Sequence, residues 1–206
     1  HAGPFANIAH GTCSVIAQRI GLALGEYIIN EAGFGADLGA EKYLDIVMPS
    51  SGIKPAAAVL VATVRALKRH DLASGNLTAG LDNLGKHVEN LRKYRLPIVV
   101  ALNRFPDDGD EELRIVKSFC SGLGVEVALS EVFAKGGAGA IELGEKIIDA
   151  ASKVKLDEVQ PLYSSEIDIE AKKTRIAAEI YGAGAVEIRE LAKEKIAKFS
   201  ALGFGK

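Results

Sequence analysis

The sequence predicts an α/β fold with a mostly parallel sheet and flanking helices. Four short apolar runs end in polar residues or glycine, which is typical of buried strands. These runs span 27–30, 57–63, 98–103 and 125–130. Amphipathic patterns typical of helices lie at 11–24, 76–94 and 109–123. The alternation of strand and helix favours right-handed βαβ units, and continuously apolar strands favour a parallel sheet that is covered on both faces.

The carboxyl-terminal part of the chain has a different pattern, because no further strand is predicted after residue 137. The glycine-rich stretch at 136–140 is expected to be a flexible loop that leads into a helix. One amphipathic helix is predicted over 138–153, followed by a polar connector at 154–163. Asp168 is expected to cap a helix that reaches Tyr181, and a last helix is predicted over 187–201. We therefore expect an α/β core portion at 1–153 and, at 154–206, a helical extension that begins a further domain.

The composition excludes several classes of partner. With 206 residues, of which 48% are hydrophobic and 25% charged, the chain can bury one ordinary core. A net charge of -2 gives no reason to expect nucleic acid. No run approaches the roughly 20 apolar residues of a membrane span, and no leader pattern is present. We therefore expect no membrane partner and a cytoplasmic location.

The two cysteines and the first residue bear on the cellular origin of the chain. Cys13 and Cys120 form neither a close pair nor a metal-binding spacing, so both are predicted to be core thiols in a reducing cytoplasm. No metal site is predicted. The sequence starts at His1 rather than Met, which suggests a processed chain or a fragment.

The turn after the first apolar run places an acidic residue next to glycines, whose main-chain N–H groups no side chain covers. Ligands of parallel α/β sheets gather at the carboxyl ends of the strands, where Glu31 is followed by Gly33, Phe34 and Gly35. Glycine lets main-chain N–H groups approach a ligand oxygen closely, and Glu31 could act through a magnesium-bound water. The pattern favours a phosphorylated substrate, although Gly-x-Gly also occurs in plain turns.

The later strand ends carry further candidates. Thr63 closes the second run and Arg65 follows it, whereas Asn103 closes the third run and Arg104 and Phe105 follow it. Phe105 is hard to explain as a core residue; it is expected either to close the top of the sheet or to stack on a flat ligand. Phe133 follows the fourth run in the same manner, so the two rings could enclose one planar ligand.

A histidine precedes the first helical pattern. Asn7, His10 and Thr12 lie near a positive helix end, where an anion is favoured, but plain capping by Asn7 or Thr12 is the simpler interpretation. His10 could hydrogen-bond a substrate, and nothing pairs it with a nucleophile.

Several segments closely resemble the formate tetrahydrofolate ligase family, also called formyltetrahydrofolate synthetases. They are GPFANIAHG at 3–11, EAGFGADLGAEK at 31–42, VATVRALK at 61–68, NRFP at 103–106, ALSEVFAKGG at 128–137, PLY at 161–163 and IYGA at 180–183. The resemblance covers essentially the whole chain. It implies ATP-dependent joining of formate to tetrahydrofolate through formyl phosphate, with Mg²⁺ and a monovalent cation, on a P-loop NTPase-like core that is present in part.

The resemblance also implies roles for individual residues. Gly33, Phe34 and Gly35 would lie near the formyl phosphate with Glu31, where backbone N–H groups stabilise developing charge. Phe105 and Phe133 would clamp the pterin, with Asn103 nearby. Thr63, Arg65 and His10 would contact the nucleotide or its phosphates.

The chain departs from the family pattern in two ways. Phe133 stands where the family commonly has Trp, so it offers less stacking area and no indole N–H. The signature G-x-x-x-x-G-K-[ST] is absent from the 206 residues, which would remove the main clamp on the β and γ phosphates. We therefore expect a fragment or split part of the ligase that is inactive alone and forms a homo-oligomer or associates with a missing N-terminal part.

Two other interpretations stay open. The chain could be a non-catalytic folate-binding or assembly module derived from the same family. A nucleotide-binding protein of flavodoxin or dinucleotide type would fit the layout alone, but G-x-G-x-x-G is absent and this interpretation ranks last.

Overall fold

The structure is a computed structural model that describes residues 11–33, 35–71 and 75–206. These residues form two compact units. One contains the described residues up to Ile53 together with Gln160–Lys206, and the other contains those of Lys54–Val159. The predicted domain division after residue 153 stays a prediction. Within the described ranges, no helix is both long and apolar enough to cross a lipid bilayer.

The secondary structure consists of short strands, α-helices and a few tighter or wider helical turns. The strands are β1 Ala58–Ala62, β2 Ile98–Asn103 and β3 Glu126–Ser130. The α-helices are α1 Val15–Leu24, α2 Met48–Ser51, α3 Val64–Lys68, α4 Leu77–Arg92, α5 Asp110–Gly122, α6 Val132–Lys135, α7 Ile141–Lys153, α8 Ile169–Glu179 and α9 Glu190–Ala201. Two π-helical turns span Ala36–Ala40 and Tyr43–Val47, and a 3-10 helix spans Gly136–Ala140.

The unit that contains Lys54–Val159 is built on a parallel sheet with the strand order β1-β2-β3. Every β2 residue from Ile98 to Leu102 is buried. Because successive side chains of a strand point to opposite faces, both faces of the sheet are covered at β2. The predicted α/β class and parallel sheet are confirmed, whereas the P-loop NTPase-like core stays a prediction.

The helices of this unit pack closely against the sheet and against one another. Helix α7 contacts β2 and β3, and α4 contacts β1, β2 and α3. A Cβ atom on Gly80 of α4 would lie 2.2 Å from the carbonyl oxygen of Leu67 in α3. Only glycine therefore permits this approach of α3 to α4.

The other unit combines the early helices with the carboxyl-terminal ones. Tyr43, Leu44, Val47 and Met48 are buried in the helical run that ends with α2. The Tyr43 hydroxyl donates a 3.0 Å hydrogen bond to the buried amide of Gln18 on α1. In α8, Asp168 accepts from the N–H of Ala171 at 2.7 Å, which confirms the predicted cap.

Three expectations from the sequence are wrong. Residues 27–30 were predicted to be a buried strand, but they form no strand. Ile29 is 96% exposed, so this apolar run is not buried. Cys13 is exposed, whereas Cys120 is buried as predicted, and burial raises the pKa of the Cys120 thiol to about 11. The glycine-rich stretch at 136–140 was expected to be a flexible loop but forms a 3-10 helix, in which the Gly139 carbonyl accepts from Glu131 N–H.

Candidate functional site

The turns that follow β2 and β3 are joined at the carboxyl edge of the sheet. Asn103 at the end of β2 lies in register with Ser130 at the end of β3. The next residue, Arg104, donates its backbone N–H to the Ser130 carbonyl at 2.9 Å. Its guanidinium lies 2.8 Å from Asp110 and 3.8 Å from Glu131. The two turns are therefore held together by backbone and charge.

Glu131 is further stabilised as an anion. Lys135, one turn later, lies 2.6 Å from its carboxylate. This hydrogen bond, with smaller effects from the charges of Lys135 and Arg104, lowers the pKa of Glu131. The edge thus carries a set of paired charges beside the predicted pterin residues.

Phe105 is partly buried and has a cation over its ring. The Arg65 guanidinium carbon is 4.7 Å from the ring centroid, a cation–π contact. One terminal nitrogen of Arg65 also lies 3.0 and 3.1 Å from the two carboxylate oxygens of Asp107. The backbone N–H of Phe105 donates to Asp108 at 2.8 Å. Neighbouring side chains therefore contact both the ring and the backbone of Phe105.

Phe133 occupies the corresponding place after β3. It lies on α6, and its side chain is 92% exposed. Phe105 and Phe133 thus follow neighbouring strands at the same edge of the sheet, with Phe105 partly buried and Phe133 exposed. That they enclose one ligand stays a prediction.

The residues predicted to bind the nucleotide in this unit already have protein partners. The Thr63 hydroxyl accepts from the Ala66 N–H at 3.0 Å and caps α3. Arg65 is engaged by Asp107 and Phe105. His10 lies outside the described residues. Contact of these residues with a nucleotide stays a prediction.

The glycine turn belongs to the other unit, and its N–H groups point to backbone oxygens. Gly33 donates to the Gly11 carbonyl at 2.7 Å, and Gly35 donates to the Gly33 carbonyl at 3.3 Å. A Cβ atom on Gly39 would lie 1.8 Å from the Gly33 oxygen. Gly39 is therefore the position in this turn where only glycine fits, which the sequence analysis missed. Glu31 is exposed, and Phe34 lies outside the described residues.

A half-buried acid beside this turn was also missed. Asp37, Glu41 and Asp45 are spaced four residues apart along the helical run. The pKa of Glu41 is raised to about 7, chiefly by burial and additionally by the charges of Asp45 and Asp37, against the opposing effect of a hydrogen bond with Tyr181. Among the described residues, the Oε1 atom of Glu41 has no hydrogen-bond partner. The spacing of the acids was the available signal in the sequence.

Two tyrosines connect this acid to distant parts of the sequence. The Tyr181 hydroxyl donates to the Asp37 carbonyl at 2.9 Å. Burial and the nearby acids raise the pKa of Tyr163 to about 12 and that of Tyr181 to about 12. Three of the segments that carry the family resemblance, 31–42, 161–163 and 180–183, thus meet around one carboxylate.

Comparison with known families decides the relationship. The model of the formate–tetrahydrofolate ligase family matches residues 1–206, the whole chain. The chain belongs to the formate–tetrahydrofolate ligase family. The resemblance found in the sequence is confirmed. Members of this family are ligases of one-carbon metabolism that use ATP and tetrahydrofolate.

The fit of this ligase-family chain to magnesium and ATP can be tested on its donor groups. Among residues 11–33, 35–71 and 75–206, no group of three or more His, Cys, Asp or Glu side chains could hold a metal ion. Thr63 and Arg65, the described candidates for phosphate contact, are engaged within the protein. Both residues would have to exchange these protein partners in order to contact nucleotide phosphates.

Proposed function

We propose that the chain takes part in ATP-dependent ligation of formate to tetrahydrofolate, giving 10-formyltetrahydrofolate through formyl phosphate. The family match over the whole chain supports the reaction class. The observation that carries the folate part is the placement of Phe105, which is partly buried, and Phe133, which is exposed, after neighbouring strands. Because G-x-x-x-x-G-K-[ST] is absent from the 206 residues, we propose that another polypeptide segment holds the ATP phosphates together with Mg²⁺.

In this proposal the sheet edge binds the pterin. Stacking between aromatic rings contributes about 0.5 to 1.5 kcal/mol beyond the buried area. The Asn103 side chain offers both donors and an acceptor to the edge of the heterocycle. The neighbouring charge pairs of Arg104 with Asp110 and Glu131 fix the two turns that carry the rings.

The glycine turn is proposed to stabilise the acyl phosphate. The lone pair of folate N10 attacks the formyl carbon, the C–O bond to phosphate breaks, inorganic phosphate leaves, and the N10 proton passes to solvent. Backbone N–H groups of Gly33, Phe34 and Gly35 would stabilise the charge that develops on oxygen, with Glu31 nearby. This role requires Gly33 and Gly35 to exchange their present backbone acceptors for the ligand.

A mixing experiment tests the proposed activity. The chain is incubated with formate, Mg-ATP, a potassium salt and tetrahydrofolate, alone and with a polypeptide that carries a family phosphate loop. We expect 10-formyltetrahydrofolate only in the second mixture, and less of it with Phe105→Ala. No product in either mixture would contradict a catalytic role.

A second candidate is a non-catalytic folate-binding or assembly module. The engagement of Thr63 and Arg65 within the protein favours it, because no described candidate is free to hold phosphate. Calorimetry with tetrahydrofolate and with Mg-ATP separates the two. Folate binding without turnover in any mixture supports the module.

A further inference from the structure

The Arg65 guanidinium contacts the Phe105 ring while it forms an exposed ion pair with Asp107. The Arg65 and Asp107 side chains are 52% and 70% exposed, and ion pairs that exposed contribute little to folding. Yet the guanidinium lies over one face of an aromatic ring that is proposed to bind the pterin. A contact that adds little stability at this position is better explained by its effect on the ring.

We propose that Arg65 and Asp107 are positioning residues for folate binding: Asp107 holds the Arg65 guanidinium over one face of Phe105, which fixes the ring and leaves one face for the pterin. This inference rests on the proposed folate-binding function. It also gives Arg65 a role different from the phosphate contact that the resemblance implies.

The geometry supplies two independent restraints on Phe105. Its backbone is fixed by Asp108, which accepts the Phe105 N–H at 2.8 Å. Its ring plane is fixed by Arg65, which reaches it from the first turn of α3. Asp107 lies two residues after Phe105 in the same turn, so one short segment carries both the ring and the anchor of its cation. Rotation of the ring would break the guanidinium contact.

A fixed ring with one covered face favours binding in a defined orientation. A mobile side chain loses rotamer entropy when a ligand stacks on it, and a ring that is already held loses less. The covered face cannot accept a second heterocycle, so the pterin is directed to the opposite face. Exposed cation–π contacts correspond to about two- to five-fold in an equilibrium constant.

Asp107→Asn separates the two roles of Arg65. The substitution removes the anionic anchor but leaves the arginine free. If Arg65 binds phosphate, freeing it should leave nucleotide binding intact or strengthen it. If Arg65 positions Phe105, tetrahydrofolate binding should weaken about three-fold, and Arg65→Gln should weaken it to a similar extent. Arg65→Lys should retain part of the affinity, because charge is kept while the planar stack is lost.

Lys68→Gln is the matched control. Lys68 lies on the same helix, α3, and forms an ion pair with Glu112 on α5. The substitution breaks a second bridge from α3 and leaves the side chains of Arg65, Asp107 and Phe105 unchanged. All variants should melt within about 3 °C of the parent, since each removes only an exposed or partly exposed ion pair.

Fluorine spectroscopy tests the ring directly, without a ligand. The chain contains seven Phe residues, which are replaced by 4-fluorophenylalanine, and Phe105→Leu identifies the resonance of residue 105. Phe133, which is 92% exposed, gives a solvent reference. We expect the Phe105 resonance to move towards that reference in Asp107→Asn and Arg65→Gln, and to stay in place in Lys68→Gln. Calorimetry with tetrahydrofolate and with Mg-ATP is run on the same proteins.

Each outcome decides something. An unmoved Phe105 resonance in Asp107→Asn, or a moved resonance with unchanged tetrahydrofolate affinity, overturns the positioning role. Weaker Mg-ATP binding by Arg65→Gln with unchanged tetrahydrofolate binding makes Arg65 a phosphate residue and also overturns it. A parent chain that binds no tetrahydrofolate refutes the proposed function itself, and the fluorine spectra still decide whether Arg65 and Asp107 fix the ring.

Discussion

The carboxylate of Asp45 accepts a 2.7 Å hydrogen bond from the backbone N–H of Leu162, a residue 117 positions later in the chain. Both residues are buried. The bond joins the early helical run to the segment that precedes α8, and both belong to the unit of 11–53 and 160–206. A buried backbone donor is thereby satisfied by a side chain from the other end of the sequence.

We expect Asp45→Ala to destabilise the chain by about 1 to 3 kcal/mol, because it leaves the buried Leu162 N–H without this acceptor. Asp45→Asn should cost less, since its amide oxygen can still accept the bond. The free energy of unfolding is measured by urea titration. Asp149→Ala, which removes an exposed carboxylate of α7, is the control and should change stability by less than about 0.5 kcal/mol. Equal losses for Asp45→Ala and Asp149→Ala would refute the role of the bond.

The raised pKa of Glu41 makes the free energy of unfolding depend on pH. The pKa of its carboxyl is about 7 in the folded protein because of burial, above the ordinary value of 4.5. The folded state therefore keeps a proton that the unfolded state has lost between these two values. Stability should fall as the pH rises from about 4.5 to about 7 and then level off. After allowance for partial exposure, the loss should be on the order of 1 kcal/mol.

The measurement compares unfolding free energies at several pH values for the parent and Glu41→Gln. The variant cannot ionise at this position, so its stability should exceed that of the parent above about pH 7 and approach it near pH 5. Glu194→Gln, on an exposed position of α9, serves as control and should follow the parent curve. Parallel curves for the parent and Glu41→Gln would show that Glu41 does not carry this dependence.

The sheet could be predicted from the sequence because its central strand is apolar throughout. The run that contains Val99 and Val100 is covered on both faces, so hydrophobicity and burial coincide there. The same criterion failed at 27–30, where Ile29 is exposed. An apolar run shows only that burial would be favourable, and packing by other segments decides whether it happens.

The candidate site was predictable only in part, for a similar reason. Parallel topology alone places Phe105 and Phe133 at one edge, because strand ends of a parallel sheet meet there. The position of Arg65 over Phe105 depends on the angle of a five-residue helix, which no local pattern specifies. Glycine is needed at position 39 because the backbone of Gly33 lies so close to it. No sequence pattern predicts a contact of this kind between two backbone segments.

Two glycines within helices should respond oppositely to alanine. In Gly80→Ala, the new Cβ would overlap the backbone of Leu67, so α3 must shift, at a cost of about 1 to 3 kcal/mol. In Gly144→Ala on α7, the Cβ meets nothing within 4 Å. That substitution should stabilise the chain by about 0.5 to 1 kcal/mol through the higher helix propensity of alanine. Thermal unfolding of the two variants checks the opposite signs, and destabilisation by both would contradict the assigned packing.

The exposed ring at position 133 permits a direct optical test of the pterin site. The chain contains no Trp, so Phe133→Trp introduces a single fluorophore at the place where the family commonly has this residue. Because Phe133 is 92% exposed, the larger side chain should fit without cost to the fold. Its greater stacking area should tighten tetrahydrofolate binding by about two- to five-fold.

Tetrahydrofolate should quench the fluorescence of Trp at position 133 in a saturable manner, since a stacked pterin lies against the indole. Phe204→Trp places the same fluorophore at another exposed position, near the carboxyl terminus, and should show only the weak, linear quenching expected from absorption of light by the ligand. Phe105→Ala combined with Phe133→Trp should shift the saturation to higher ligand concentration, because the opposing ring is lost. Identical quenching of the two tryptophans would exclude position 133 from the pterin site, whatever the affinity of the chain for folate.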